Sequence, residues 1–285
     1  MNTRAKPTVV LQEILATDNG KHPCIMRLLV KEARDYTEKQ AIKYIRVEDG
    51  ALPEGWQNPW VPLYQTLPPL PSGIWNVADL HKPREGSELA YSNLKTIRWH
   101  QTVQPWHDTT VDYFDLNKEL LLPFMHAKHC RADTLWLVKH DLFGPQFVLM
   151  KIAETPNDME RIARETEVYC AIRGTSIAPV FLGHIREEGR IIGFLVEYLQ
   201  DCTHPDGKDY DACKVALGRL HSNGYLHGDA HAGNFLLQPD GTALLIDFEF
   251  SQRCGDIAKF EQEQEELRQE LVPEQDGTLK LGLHA

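Results

Sequence analysis

The residues of this chain best suited to chemistry lie in His227-Gly228-Asp229-Ala230-His231-Ala232-Gly233-Asn234 and, a little further on, in Leu245-Ile246-Asp247. An aspartate, an asparagine five residues later and a second aspartate after the next apolar run are the groups phosphoryl transfer needs. Asp229 would act as the base toward an attacking hydroxyl, and Asn234 and Asp247 as oxygen ligands for magnesium. Magnesium keeps few protein ligands, so one amide oxygen and one carboxylate suffice when phosphates complete its shell. Each residue alone could merely cap a turn; the ordered set, with strand and turn signals between its members, carries the reading.

The elements that must position these groups are legible around them. Phe235-Leu236-Leu237 and Ala243-Leu244-Leu245-Ile246 flank the turn Pro239-Asp240-Gly241-Thr242, which predicts a hairpin setting Asn234 beside Asp247. A helix is expected from Tyr210 to His221, stopped by Gly224. Upstream, Thr134 to His140 and Gln146 to Ala153 predict another hairpin, with Lys151 in its second strand. Alternation alone leaves open whether Lys151 points outward. The helix expected over Asp158 to Ile172 has an apolar stripe of Ile162, Val168, Tyr169 and Ile172, with Glu165 on that face and Glu167 turned away. A carboxylate on a buried stripe needs a cation, and Lys151 is the expected partner; a surface pair between Arg161 and Glu165 is the alternative. Ala178 to Arg186 and Ile191 to Leu199 predict a third hairpin. In the last expected helix, Asp256 to Leu271, the charged run Glu261 to Glu270 reads as a solvated face.

HGDAHAGNFLL followed by LIDFEF resembles the Brenner-type loop of aminoglycoside phosphotransferases, choline and ethanolamine kinases and lipopolysaccharide-core sugar kinases, a branch of the protein-kinase-like superfamily. It is less similar to protein serine/threonine kinases. Those carry arginine before the aspartate and lysine two residues after it, where this chain has Gly228 and His231, and Glu249 stands in place of their DFG glycine. The resemblance covers about residues 120 to 270. It implies an α+β, two-lobed protein-kinase-like fold with a truncated C-lobe and an N-terminal β-rich extension, divided as 1–110, 111–200 and 201–285. It also implies ATP and Mg2+ as cofactors, with Lys151 on the phosphates, Glu165 orienting Lys151, and a hinge at Val196-Glu197-Tyr198-Leu199 whose backbone at Glu197 and Leu199 binds adenine.

Where a phosphate-covering glycine loop belongs, residues 127–133 contain no glycine. Lys128 or Arg131 would then reach phosphates through their side chains, or nucleotide binding would be weak. The expected function is transfer of a phosphoryl group from Mg-ATP to a hydroxyl of a small molecule. The alternatives are a minimal protein kinase and a pseudokinase serving as an interaction module. LPPLPSGIWN and FLGHIREEGRIIGFLVEYL also resemble filamentous-fungal kinase-like proteins often labelled alpha-galactosidase, but the repeated strand-helix units of a glycosidase barrel are missing.

With 285 residues, 42% hydrophobic and 25% charged, the composition is that of a globular protein with a sizeable core. A net charge of -11 argues against nucleic acid or an anionic membrane as partner. Six cysteines without CxxC spacing, and an N-terminus without a long apolar stretch, lead to the expectation of reduced thiols and a cytoplasmic location. Thr8 to Leu15, Cys24 to Val30 and Ala41 to Val47 predict a small sheet, separated by Asp18-Asn19-Gly20 and by the charged stretch Lys31 to Lys39. Leu52 to Pro71 reads as a proline-stiffened strap over the domain's own surface, and Trp75, Trp99 and Trp106 as packing anchors.

Overall fold

The computed structural model describes residues 8–15, 24–34, 37–52, 67–84, 86–97, 103–121, 135–153 and 158–272. Lys128 and Arg131, the Asp18-Asn19-Gly20 turn, Trp99 and most of the strap before Leu67 lie outside these residues. The chain is α+β, with three α-helices and four sheets among the described residues. It divides into two compact units, Met1–His100 and Gln101–Ala285.

The first unit is a five-stranded sheet of β1 (Thr8–Leu15), β2 (Cys24–Arg34), β3 (Thr37–Val47), β4 (Val77–His81) and β5 (Ala90–Lys95), paired in that order. All pairs are antiparallel except β3 with β4. The charged stretch from Lys31 is strand rather than connection, because the β2–β3 ladder runs on to Arg34 opposite Thr37. Its register sets Glu32 opposite Lys39. Met26, Leu28, Ile45, Val47, Trp75 and Leu80 form the core. The end of the proline segment packs on that core through Leu67 and Leu70, fastened by Trp75 Nε1–H to the Pro71 carbonyl at 2.9 Å.

The second unit contains a six-stranded sheet. Its strands are β6 (Thr110–Asp112), β7 (Asn117–Leu121), β8 (Leu135–Lys139), β9 (Val148–Ile152), β10 (Phe181–Glu187) and β11 (Arg190–Glu197), in the order β6-β10-β11-β9-β8-β7. The two expected hairpins form as β8–β9 and β10–β11, and β6 and β7 extend the sheet at its edges. The unit opens at Gln101 rather than at 111, and it keeps 111–200 and 201–285 together. Trp106 explains the earlier start: its backbone N–H donates to His184 Nε2 at 3.2 Å and its ring lies 4.4 Å from that of Phe181, so this stretch belongs to β10.

Helix α1 (Met159–Ala171) covers β11 and the turn at Phe248–Phe250. Helix α2 (Tyr210–Ser222) leads to the short strand β12 (Tyr225–Leu226), and β13 (Phe235–Leu237) pairs with β14 (Ala243–Leu245) around Gly241. After β15 (Gln252–Arg253), which pairs with β12, α3 (Ile257–Leu271) packs on α2. A column of rings ties the sheet to the loop after β12. Phe194 meets Tyr169 at 5.5 Å, Tyr169 meets Phe248 edge-on at 5.3 Å, and Phe248 meets His227 at 5.5 Å. No helix among the described residues is long and apolar enough to cross a membrane.

Candidate active site

In β9, Val148, Met150 and Ile152 point into the sheet core, so alternation puts Lys151 on the other face. That face is covered rather than open: the Lys151 side chain is only 14% exposed. Its Nζ lies 2.7 Å from Glu165 Oε2 and donates to Asp247 Oδ1 at 2.6 Å. The expected pair of Lys151 with Glu165 therefore forms, and Arg161 reaches Glu249 at 3.7 Å instead. Glu165 shares the buried side of α1 with Met159, Ile162, Val168 and Tyr169.

Asp247 adopts a left-handed backbone, φ 63° and ψ 69°, a region few side chains other than Asn and Asp tolerate. The sharp turn sends Phe248 into the ring column while the Asp247 carboxylate stays on Lys151. Arg164 holds the turn from α1 through Nη1–H to the Glu249 carbonyl at 2.6 Å.

The pKa shifts follow from this crowding. Burial works against the Lys151 ammonium, but the charges of Glu165 and Asp247 outweigh it and raise its pKa. Burial pushes Glu165 up to about 7 despite the Lys151 ammonium, with Asp247 adding to the rise. Glu249 is also raised, first by burial and then by Asp247.

The loop after β12 is held from below by α3. Glu263 accepts the N–H of Gly228 at 2.6 Å through Oε1, and through Oε2 the N–H of His227 at 3.1 Å and His221 Nε2–H at 2.7 Å. Burial raises a carboxyl's pKa, but these hydrogen bonds prevail and keep Glu263 below its ordinary value. Gly228, at φ +80°, is obligatory because a Cβ there would collide with the Phe250 carbonyl. His227 is fully buried, and burial lowers its pKa. Its neutral ring donates Nε2–H to the Ile246 carbonyl at 3.0 Å, linking the loop to the residue before Asp247.

Asn234, also buried, turns its Nδ2 onto Asp229, 2.8 Å from the carbonyl and 3.2 Å from Oδ2. Its amide oxygen is thereby the group left to act as a ligand. The hairpin bond from Ile246 N–H to the Asn234 carbonyl, 3.0 Å, sets Asn234 next to Asp247. Asp229 and Asp247 both act electrostatically on His227. The loop and hairpin residues thus converge with Lys151 and Glu165 on one locality.

Glu197 ends β11 and gives its N–H to the Val180 carbonyl at 2.9 Å; the N–H of Leu199 carries no hydrogen bond among the described residues. Sequence reasoning missed Glu263, Glu270 and Arg164. The charged run in α3 is not wholly a solvated face: Glu263 is buried, and Glu270 accepts the Ala232 N–H at 3.1 Å. The signal was its helical spacing, for Glu263, Leu267 and Leu271 form one stripe.

No family model matches the chain. It is 29% identical over 115 residues to Protein drl-1 of Caenorhabditis elegans, an alignment covering 34% of this chain and 18% of that protein, so the similarity spans less than a fifth of the relative's length.

Proposed function

We propose that the second unit is a Mg-ATP-dependent phosphotransferase that acts on a hydroxyl of a small molecule, built as a two-lobed protein-kinase-like fold. The observation that carries this reading is the buried ammonium of Lys151 between Glu165 and Asp247, residues from a strand, a helix and a turn distant in sequence. Lys151 would bind phosphates, Glu165 would hold Lys151 in place, and Asp229 would accept the proton of the attacking hydroxyl. The backbone of Glu197 and Leu199 would take the adenine edge.

Among the described residues no group of three or more His, Cys, Asp or Glu side chains is arranged for a metal. An amide oxygen with a carboxylate nonetheless fits magnesium, which takes hard oxygen donors and draws the rest of its shell from phosphates and water. Asn234 and Asp247 would hold it, and once bound it would neutralise charge on the phosphates. Binding and orienting the substrates falls to the side chains of this chain.

The test is a thermal-shift titration with ATP, with and without magnesium, on the parent and on Asp247→Ala. A ligand that binds the native state raises the melting temperature by mass action. The expected outcome is a magnesium-dependent rise that is lost in the variant; the same rise in both proteins would refute the assignment of Asp247.

A further inference from the structure

We propose that His231 is a positioning residue for Asp229, tying down one carboxylate oxygen so that the other takes the acceptor's proton; this rests on the phosphotransfer reading above. The imidazole has a built seat. Its Nδ1 accepts the N–H of Gly233 at 3.1 Å, which in the neutral ring leaves the proton on Nε2. Glycine is required beneath it, because a Cβ at residue 233 would stand 2.8 Å from His231 Cε1. Nε2 then faces Asp229 Oδ2 at 3.5 Å, the oxygen that also takes Asn234 Nδ2 at 3.2 Å. Asn234 Nδ2 therefore donates to Oδ2, and His231 Nε2 stands beside the same oxygen, a few tenths of an ångström beyond hydrogen-bond length, while Oδ1 has no partner among the described residues. The side chains of His231 and Asp229 are 36% and 42% exposed, so this pair fronts the solvent from which an acceptor arrives.

In the step this arrangement serves, the acceptor oxygen bonds to the γ-phosphorus of ATP as the bond from that phosphorus to the ADP oxygen breaks. The acceptor's proton passes to Asp229 Oδ1 and then to water, leaving ADP and a phosphate monoester. A base that rotates freely presents the correct oxygen only part of the time, and fixing its orientation contributes directly to rate.

Two substitutions separate positioning from a merely structural role. Asparagine keeps an acceptor at the distance of Nδ1 and thus the turn cap, without the far donor; glutamine keeps a donor at the distance of Nε2 without the cap. The assay is phosphate release from Mg-ATP, with water standing in for the alcohol. His231→Ala and His231→Asn are expected to lower kcat about tenfold with KM for Mg-ATP within about twofold, and His231→Gln to recover most of the loss. Gly233→Ala, which displaces the ring, is expected to cost as much in the parent and nothing further in His231→Ala. Rescue by asparagine and not by glutamine would reduce His231 to a turn cap and overturn the proposal. Turnover unchanged by His231→Ala overturns it alone, whereas a parent that neither releases phosphate from Mg-ATP nor transfers label from ATP to a metabolite extract overturns the phosphotransfer reading and the proposal with it.

Discussion

Glu263→Gln keeps the shape of a buried side chain and removes its charge, which makes it the sharpest probe of how α3 holds the loop. The carboxylate serves three donors: Gly228 N–H at 2.6 Å, His221 Nε2–H at 2.7 Å and His227 N–H at 3.1 Å. A carboxamide has one acceptor oxygen. If that oxygen takes the His221 and His227 donors, the NH2 group confronts the Gly228 N–H. The loss of that bond costs about 2 kcal/mol, and the weakening of the other two brings the total to about 3 kcal/mol. In a unit the size of Gln101–Ala285 this lowers the melting temperature by about 6–12 °C. The local readout is amide exchange at His227 and Gly228, expected to speed up by about a hundredfold. The pH dependence has a defined sign. Because Glu263 is held below its ordinary value in the folded chain, its contribution is present above the usual carboxylate range and is lost on acidification. The glutamine variant should therefore lose less stability than the parent as pH falls. Parent-like melting and exchange in Glu263→Gln would refute the reasoning.

Lys151→Ala is expected to weaken Mg-ATP binding and Glu165→Ala to reduce rate more than affinity. The double variant should lose little beyond the worse single one; full additivity in titration calorimetry and kinetics would mean that the 2.7 Å contact carries no coupling. Asp229→Asn should leave Mg-ATP binding intact and slow transfer by at least about a hundredfold, measured with labelled ATP against a metabolite extract and a protein extract fractionated by size. Label confined to protein bands would replace the small-molecule acceptor with a protein one. Burial, helped by His107, holds His184 down at about 4 against an ordinary 6.5. The unfolded chain takes up that proton first, so the associated stability is present above about 6.5 and is lost between there and pH 4, an effect of about 2 kcal/mol after screening. His184→Phe should flatten this part of a stability-versus-pH curve; an unchanged slope would assign it to other groups.

The parts of the site that were legible in the sequence are those set by short-range rules. Asn234 and Asp247 follow from a turn-linked pair of apolar runs, and Glu165 follows from helical spacing, because a stripe that buries Ile162 and Val168 buries it too. What alternation could not decide was the environment of Lys151. The period of a strand says which face a side chain takes, whereas α1 decides whether that face is wet. The charged stretch from Lys31 was misjudged for a related reason: strand propensity is weak there, and the pairing of β2 with β3 overrides it. Arg164 was missed because its partner is a backbone group, the Glu249 carbonyl, and Glu263 because two of its three donors are the backbone N–H groups of His227 and Gly228. No residue type in the partner marks such a bond in advance.

The charge balance of the site bears on what it can bind. Lys151 stands between Glu165 and Asp247 at 2.7 and 2.6 Å, with Glu249 near enough to act on Glu165. Burial pushes Glu165 up to about 7 and raises Glu249 as well, and the charge of Asp247 adds to both, although Lys151 and, for Glu249, Arg161 act against the rise. A triphosphate adds further negative charge to the same locality. One unbalanced pair of unit charges 4 Å apart costs about 4 kcal/mol at the effective dielectric of a protein site, equivalent to nearly a thousandfold in affinity. Free ATP should therefore bind at least about a hundredfold more weakly than Mg-ATP, because only the cation brings positive charge to the carboxylates along with the phosphates. Equal affinities with and without magnesium would mean that the phosphates do not lie against Asp247, and the assignment of Lys151 as their partner would fall with it.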